Sequence, residues 1–344
     1  MEHEITKNQL EILSGIDFII PLKQVGLITR SVVEALELFY QPRRIIIITP
    51  KKEVDILENL HVYWDVKSLQ LICEEDFFIP NFGLTIEDIL QEYDITREGE
   101  QREPGWWIQQ LIKLGACSQI HDISQVYIVW DGDLLPTRRW KLCDYNDKGD
   151  VQYYFAILQA ESRSEFNSYQ YAACMKALTN MSPNEPEKGG TFVAHHMIFN
   201  KERVTEMLDL MIAVSGSGSI PWPKLIMCYS RIFYGFSEYK TYATFMTNKY
   251  NEEFNYHVFN DFGAGGLRFR EANEIVDKLL NDCLIIDGGI PYNNFKQFLD
   301  NSWKNLPGAN KDIYPGYIQI EHVYGIDSYN INNNKIKKNR TNPF

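Results

Sequence analysis

Short unbroken apolar runs alternate along the chain with stretches where apolar residues recur every three or four positions. Residues 16–22, IDFIIPL, form the first run, and its length suits a strand buried on both faces. Residues 26–40, GLITRSVVEALELFY, carry helical spacing. Residues 45–49, IIIIT, are continuous and β-branched, as in a second buried strand. A short helix over 51–59 and a strand over 69–73 follow. Strand, helix, strand, helix, strand is the opening of a parallel α/β sheet.

Residues 85–93 have a short helical pattern, and 94–104, DITREGEQREP, are polar and irregular. The pattern predicts a helix over 105–119 with aromatic and apolar residues on one side. The next buried strand is 126–130, VYIVW, which runs straight into an acidic pair. Further on, 182–190 reads as a loop, 191–199 as a strand and 201–215 as a helix. A loop over 216–223 precedes a helix ending at 234, and another helix spans 237–249. Residues 255–270 have no clear period. A helix over 271–280, a strand over 283–287, a helix over 293–303 and a strand over 317–323 complete the pattern. The Asn- and Lys-rich residues 330–344 read as a disordered tail. With no internal repeat and no linker, 1–329 reads as one domain.

Composition narrows the function. The 344 residues carry a formal net charge of -12, which argues against binding a nucleic-acid backbone over a broad face. A polyanion as small as a nucleotide-sugar is still admissible, because a metal ion reverses the sign of a pocket locally. Aromatic residues make up 13%, a supply suited to stacking on bases or sugar rings. The six cysteines are scattered without a CxxC pair, as expected of reduced thiols in a cytoplasmic protein. The N-terminal residues lack an apolar signal core. The apolar runs fall far short of the roughly 20 residues of a membrane helix, so no integral membrane segment is expected.

Four segments carry candidate chemistry. In VYIVWDGDLLPTR, a buried strand ends in Asp131, Gly132 and Asp133. Ligands of open α/β sheets sit off the carboxyl ends of strands. Two carboxylates one residue apart can share a hard divalent cation, although Asp-Gly also closes strands as plain turn chemistry. PGWWIQQLIKLGA opens a helix with an aromatic pair and carries Gln109, Gln110 and Lys113. In TFVAHHMIF, alternation sends His195 and His196 to opposite faces, and His196 is taken as the functional one. In GFSEYKTY, Ser237 is a helix N-cap and Glu238 lies in the first turn, where a carboxylate can accept the proton of an attacking hydroxyl or simply complement the helix dipole.

Taken together, PGWWIQQLIKLGA, YIVWDGDLLPTR, TFVAHHMIF and FSEYKTY, in this order, resemble a bacterial family of poorly characterised proteins grouped with glycosyltransferases of GT-A-like fold. The resemblance covers roughly residues 16–290. It implies a GT-A-like, mostly parallel sheet flanked by helices, with 16–135 as the nucleotide-sugar-binding half and 136–329 as the acceptor half. It implies Asp131 and Asp133 as a DxD motif for Mn2+ or Mg2+. Donor contacts fall to Pro21, Leu22, Lys23, Trp107, Gln110 and Asp131, and catalytic roles to Glu238 and His196. The donor would be a nucleotide diphosphate-sugar and the acceptor a hydroxyl on a glycan, a lipid-linked sugar or a small molecule. Trp130 departs from the pattern, since an aspartate or small residue is commoner before such an acidic pair. No C-terminal metal-binding histidine is evident, and His257 and His322 are candidates by elimination. A nucleotidyltransferase would need a Gly-rich, basic loop where this chain has Pro21, Leu22, Lys23 and Gln24. A carbohydrate-binding protein without turnover is the non-enzymatic alternative.

Overall fold

The computed structural model describes residues 7–26, 28–91, 104–157, 165–184, 190–233, 235–258, 266–269 and 288–320, with two short strands at 329–330 and 335–336. After a helix α1 (Lys7–Leu13) comes β1 (Asp17–Pro21), then α2 (Thr29–Tyr40), β2 (Arg44–Thr49), α3 (Lys51–Leu60) and β3 (Leu69–Cys73). Two short helices, α4 (Ile79–Phe82) and α5 (Ile86–Leu90), precede the long α6 (Pro104–Gln119) and β4 (Val126–Trp130). The expected succession is thus present. Ile45 to Ile48 of β2 are fully buried, as a continuous β-branched run covered on both faces must be. At about 1.5–3 kcal/mol per buried side chain, these four alone supply a sizeable part of the core.

The half that follows is more broken. It holds β5 (Leu134–Pro136), β6 (Cys143–Tyr145), β7 (Val151–Ile157), α7 (Glu165–Thr179), β8 (His196–Asn200), α8 (Lys201–Ser215), α9 (Trp222–Phe233), α10 (Glu238–Lys249), β9 (Phe254–Val258) and β10 (Leu267–Phe269). A helix over Tyr292–Ser302 and β11 (Tyr317–Ile320) follow. Local chemistry sets several of these boundaries. The Asn200 side chain accepts from the Glu202 and Arg203 amides to start α8, and Gly216 ends it in the left-handed region at φ 66°. Ser237 caps α10 by accepting from the Lys240 amide, as the sequence suggests.

The central sheet has the order β3-β2-β1-β4-β8. β1 runs parallel to β2 and β4, β2 runs parallel to β3, and β8 joins antiparallel at the far edge. The chain winds outward from β1 to β3, then returns to place β4 on the other side of β1. The crevice between the carboxyl ends of β1 and β4 is therefore the topological switch point, where open α/β sheets bind ligands. Two smaller sheets, β10-β11-β5 and β6-β7-β9, flank it.

Several expectations change. The strand expected over 191–199 begins only at His196. Strands β5, β6 and β7 and helix α7 lie in a stretch where the sequence offered no assignment, and β9 and β10 in one without a clear period. The helix and strand expected over 271–280 and 283–287 lie outside the described residues. At the start of the tail expected to be disordered over 330–344, Asn330 pairs with Lys335, and Tyr329 just before it with Ile336; the remaining tail residues lie outside the described residues. Among the described residues no helix is long and apolar enough to cross a membrane.

Candidate metal and donor site

The acidic pair sits in a turn held from four directions. The Asp131 amide donates to the His195 carbonyl at 2.9 Å, and the Leu134 amide closes the turn on the Asp131 carbonyl at 3.0 Å. The Ile320 amide of β11 donates to the Asp133 carbonyl at 3.2 Å. Trp130 supplies the fourth tie, its indole N–H donating to the Leu134 carbonyl at 2.7 Å. The ring of Trp130 stacks on Trp140 at 4.9 Å between centroids. The residue that departed from the family pattern thus anchors the turn from below. Gly132 is needed for close approach. A Cβ there would lie 2.8 Å from Leu22 Cδ1 and 3.2 Å from Ile20 Cγ2, so the turn is pressed against the end of β1.

Asp131, Asp133 and His195 converge, with one ligand atom of each within 4.8 Å of the others. His195 Nδ1 lies 3.2 Å from Asp131 Oδ2. His195 reaches this position with φ 62°, a left-handed conformation that costs an L-residue roughly 1–2 kcal/mol and recurs at ligand sites. Its neighbour His196 starts β8 and is 1% exposed, packed 5.1 Å from Trp130 and 5.2 Å from Trp140 between ring centroids. Burial pulls the His196 imidazole down to about 4, against the raising effect of the Ala194 carbonyl. The histidine pair does divide between site and core, but His195 faces the acidic pair and His196 does not.

The other carboxylate oxygen of Asp131, Oδ1, is held by a buried cation. Lys113 of α6 is 3% exposed, and its Nζ lies 2.8 Å from Asp131 Oδ1 and 2.9 Å from Glu238 Oε1. It also sits 4.3 Å from the centre of the Tyr239 ring, whose hydroxyl donates to Asp131 Oδ1 at 3.1 Å. Burial opposes the charge on both partners. For Asp131, Lys113 and His195 overcome it and hold the carboxyl well below its usual range. For Lys113, Asp131 and Glu238 do the same and hold the ammonium well above its own. Asp133 goes the other way, pushed up by burial and by the charge of Asp131. Lys113 contacts two carboxylates, Asp131 and Glu238, and Asp133 is a third beside Asp131, so with all three ionised the cluster has two negative charges over before His195 is counted. Two carboxylate oxygens and an imidazole nitrogen, close together with that excess, fit a divalent cation.

Of the residues expected to touch a donor, Pro21, Leu22 and Asp131 meet at the switch point. Lys23 is exposed beside the start of α6, and a Cβ on Gly105 would lie 3.9 Å from its Cδ. Trp107 and Gln110 are buried instead. Gln110 Oε1 accepts from the Glu238 amide at 3.3 Å, so it joins α6 to the start of α10, one turn from Lys113. Glu238 is 4% exposed and committed to Lys113. His257, one candidate for a further metal ligand, lies tilted against Tyr154 at 4.4 Å between ring centroids in the β6-β7-β9 sheet. His322, the other, lies outside the described residues. The sequence reading also passed over Gln319 of β11, whose amide nitrogen lies 3.1 Å from Asp133 Oδ2. Its one local signal is a lone polar residue between Ile318 and Ile320.

The fold is similar to several solved structures. Mouse xyloside xylosyltransferase 1, apo form, aligns with a TM-score of 0.41 at 9% identity, covering 77% of this chain and 92% of that one. An active-site mutant of LgtC aligns with a TM-score of 0.36 at 10% identity, covering 90% and 89%. Glucosyl-3-phosphoglycerate synthase from Mycobacterium tuberculosis, in complex with Mn2+, uridine-diphosphate-glucose and phosphoglyceric acid, aligns with a TM-score of 0.29 at 11% identity, covering 66% and 73%. Likenesses this distant leave the functional case to the side chains. No curated protein matches the chain in sequence. A family profile matches residues 15–268, well over half the chain, and on that match the protein belongs to the family of unknown function DUF6492.

Proposed function

We propose that the protein is a glycosyltransferase that moves a sugar from a nucleoside diphosphate-sugar to a hydroxyl acceptor with the help of Mn2+ or Mg2+. The observation that carries this reading is the convergence of Asp131, Asp133 and His195 at the β1/β4 switch point. These three residues would hold the cation. When bound, it would engage the donor diphosphate and take up the charge that develops there as the glycosidic bond breaks. Lys113 and Tyr239 hold Asp131 Oδ1 and leave Oδ2 for the ligand side. Pro21, Leu22 and Lys23 would line the nucleoside end. Glu238 and His196 act here as positioning residues, because both are buried. Glu238 sets Lys113, and His196 packs against Trp130 beneath the metal turn.

The test is binding first and turnover second. A nucleoside diphosphate at 100 times its dissociation constant should stabilise the protein by about 2.7 kcal/mol in the presence of Mn2+, with far less effect in its absence. A panel of nucleoside diphosphate-sugars should then be hydrolysed or transferred in a metal-dependent way. Release of pyrophosphate from a nucleoside triphosphate and a sugar phosphate would move the assignment to a nucleotidyltransferase. Binding of a glycan with no nucleotide effect would make the protein a carbohydrate-binding one.

A further inference from the structure

With Asp131 and Asp133 both ionised, as ligands of a cation are, Gln319 makes two contacts that no tautomer of His195 and no orientation of the amide satisfies together. Its Nε2 lies 3.1 Å from Asp133 Oδ2 and 3.2 Å from His195 Nδ1. The same Nδ1 lies 3.2 Å from Asp131 Oδ2. An ionised carboxylate only accepts, an amide nitrogen only donates, and one ring nitrogen does one or the other. If Nδ1 carries the proton, it suits Asp131 and opposes the Gln319 amide. If Nδ1 is bare, it accepts from Gln319 but meets the Asp131 oxygen lone pair to lone pair. Turning the amide over brings its oxygen against the Asp133 carboxylate. Each choice leaves two like groups at hydrogen-bond distance in a partly buried setting, where such a mismatch carries a cost.

A divalent cation shared by His195 Nδ1, Asp131 and Asp133 resolves the conflict, because every lone pair can then point at positive charge. The amide of Gln319 has an oxygen to add. From these contacts we infer that Gln319 is a fourth protein ligand of that cation, through Oε1. The inference rests on the metal reading of the site and adds a residue to it. The backbone is already in place for the role. Gln319 is 2% exposed, pairs in register with Leu134, and is followed by Ile320, whose amide holds the Asp133 carbonyl. Only the side-chain amide has to turn. An amide carbonyl is a hard oxygen donor of the kind Mg2+ and Mn2+ accept.

Mn2+ titrations of the full chain, followed by calorimetry and by the Mn2+ electron paramagnetic resonance signal, test this without any turnover assay. Gln319→Leu removes the oxygen and should weaken Mn2+ binding by roughly 10- to 100-fold, the range seen when support around a metal site is lost. Gln319→Glu supplies an oxygen at the same reach and should bind Mn2+ at least as tightly as the wild type. Gln319→Met, close in size and without a hard oxygen, repeats the test should the leucine variant not fold. Wild-type affinity in the leucine or methionine variant overturns the inference. So does a glutamate variant weakened as much as the leucine one, since the amide N–H would then be the group that matters. A wild-type chain that binds no divalent cation would fail differently, sinking the metal reading of Asp131, Asp133 and His195 itself.

Discussion

Lys113→Met is the most informative single change outside the metal ligands. Methionine keeps much of the length and all of the apolar stem, so the perturbation is chiefly the loss of one buried ammonium. That ammonium lies 2.8 Å from Asp131 Oδ1 and 2.9 Å from Glu238 Oε1, and the lysine side chain is 4% exposed. Removing one partner of such a buried ion pair typically costs about 3–5 kcal/mol, because the remaining charges stay buried without compensation. An unfolding entropy of about 2.1 cal/mol/K per residue gives this 344-residue chain roughly 0.7 kcal/mol/K. The melting temperature should therefore fall by about 4–7 °C, as read by calorimetry or circular dichroism. Two further readouts tie the loss to charge. Mn2+ should raise the melting temperature of the variant more than that of the wild type, because it meets one more uncompensated carboxylate. Adding Glu238→Gln should restore part of the loss by removing an anion along with the cation. A Lys113→Met protein that melts within 1 °C of the wild type, or a double variant whose losses simply add, would refute the electrostatic account.

Asp133→Asn should abolish Mn2+-dependent stabilisation by nucleoside diphosphates while shifting stability by less than about 1 kcal/mol, since it keeps the side chain's size and sheds a charge that burial disfavours; a thermal-shift titration with and without Mn2+ reads both. Gly132→Ala should force Leu22 aside, cost about 1–3 kcal/mol and weaken nucleoside diphosphate binding in calorimetry; unchanged affinity would free Leu22 from any role at the donor site. Asp17 gives a pH test away from the site. Burial raises its carboxyl, but Arg43, Arg44 and the Ser124 amide outweigh that and hold it below its usual value. A depressed folded value means its contribution is complete above the unfolded value of 3.8 and is lost as pH falls through the folded one. Asp17→Asn should lose about 2–3 kcal/mol at pH 7 and show a flatter decline below about pH 4 than the wild type, and an equally steep decline would assign the acid sensitivity to other carboxylates.

What the sequence determined by itself is the first half of the sheet and the acidic turn at its edge. β1, β2 and β4 are legible because a strand covered on both faces must be a continuous apolar run, and IDFIIPL, IIIIT and VYIVW are such runs. Asp131 and Asp133 are legible because they follow such a run directly. The identity of their partners was decided by the tertiary structure. Alternation treats His195 and His196 as equivalent members of one strand. The strand starts only at His196, and the carbonyl of His195 accepts from the Asp131 amide with the residue in a left-handed conformation. No local pattern encodes that backbone turn. Lys113 was visible as a helix cation, but its pairing depends on α6 and α10 meeting over the end of β4. Gln319 is 186 residues from Asp133 in sequence, and β11 reaches the site only by pairing with β5. Hydrophobic periodicity reports which face of an element is buried. It carries no information on which buried polar groups face one another, because those contacts form only when distant elements pack.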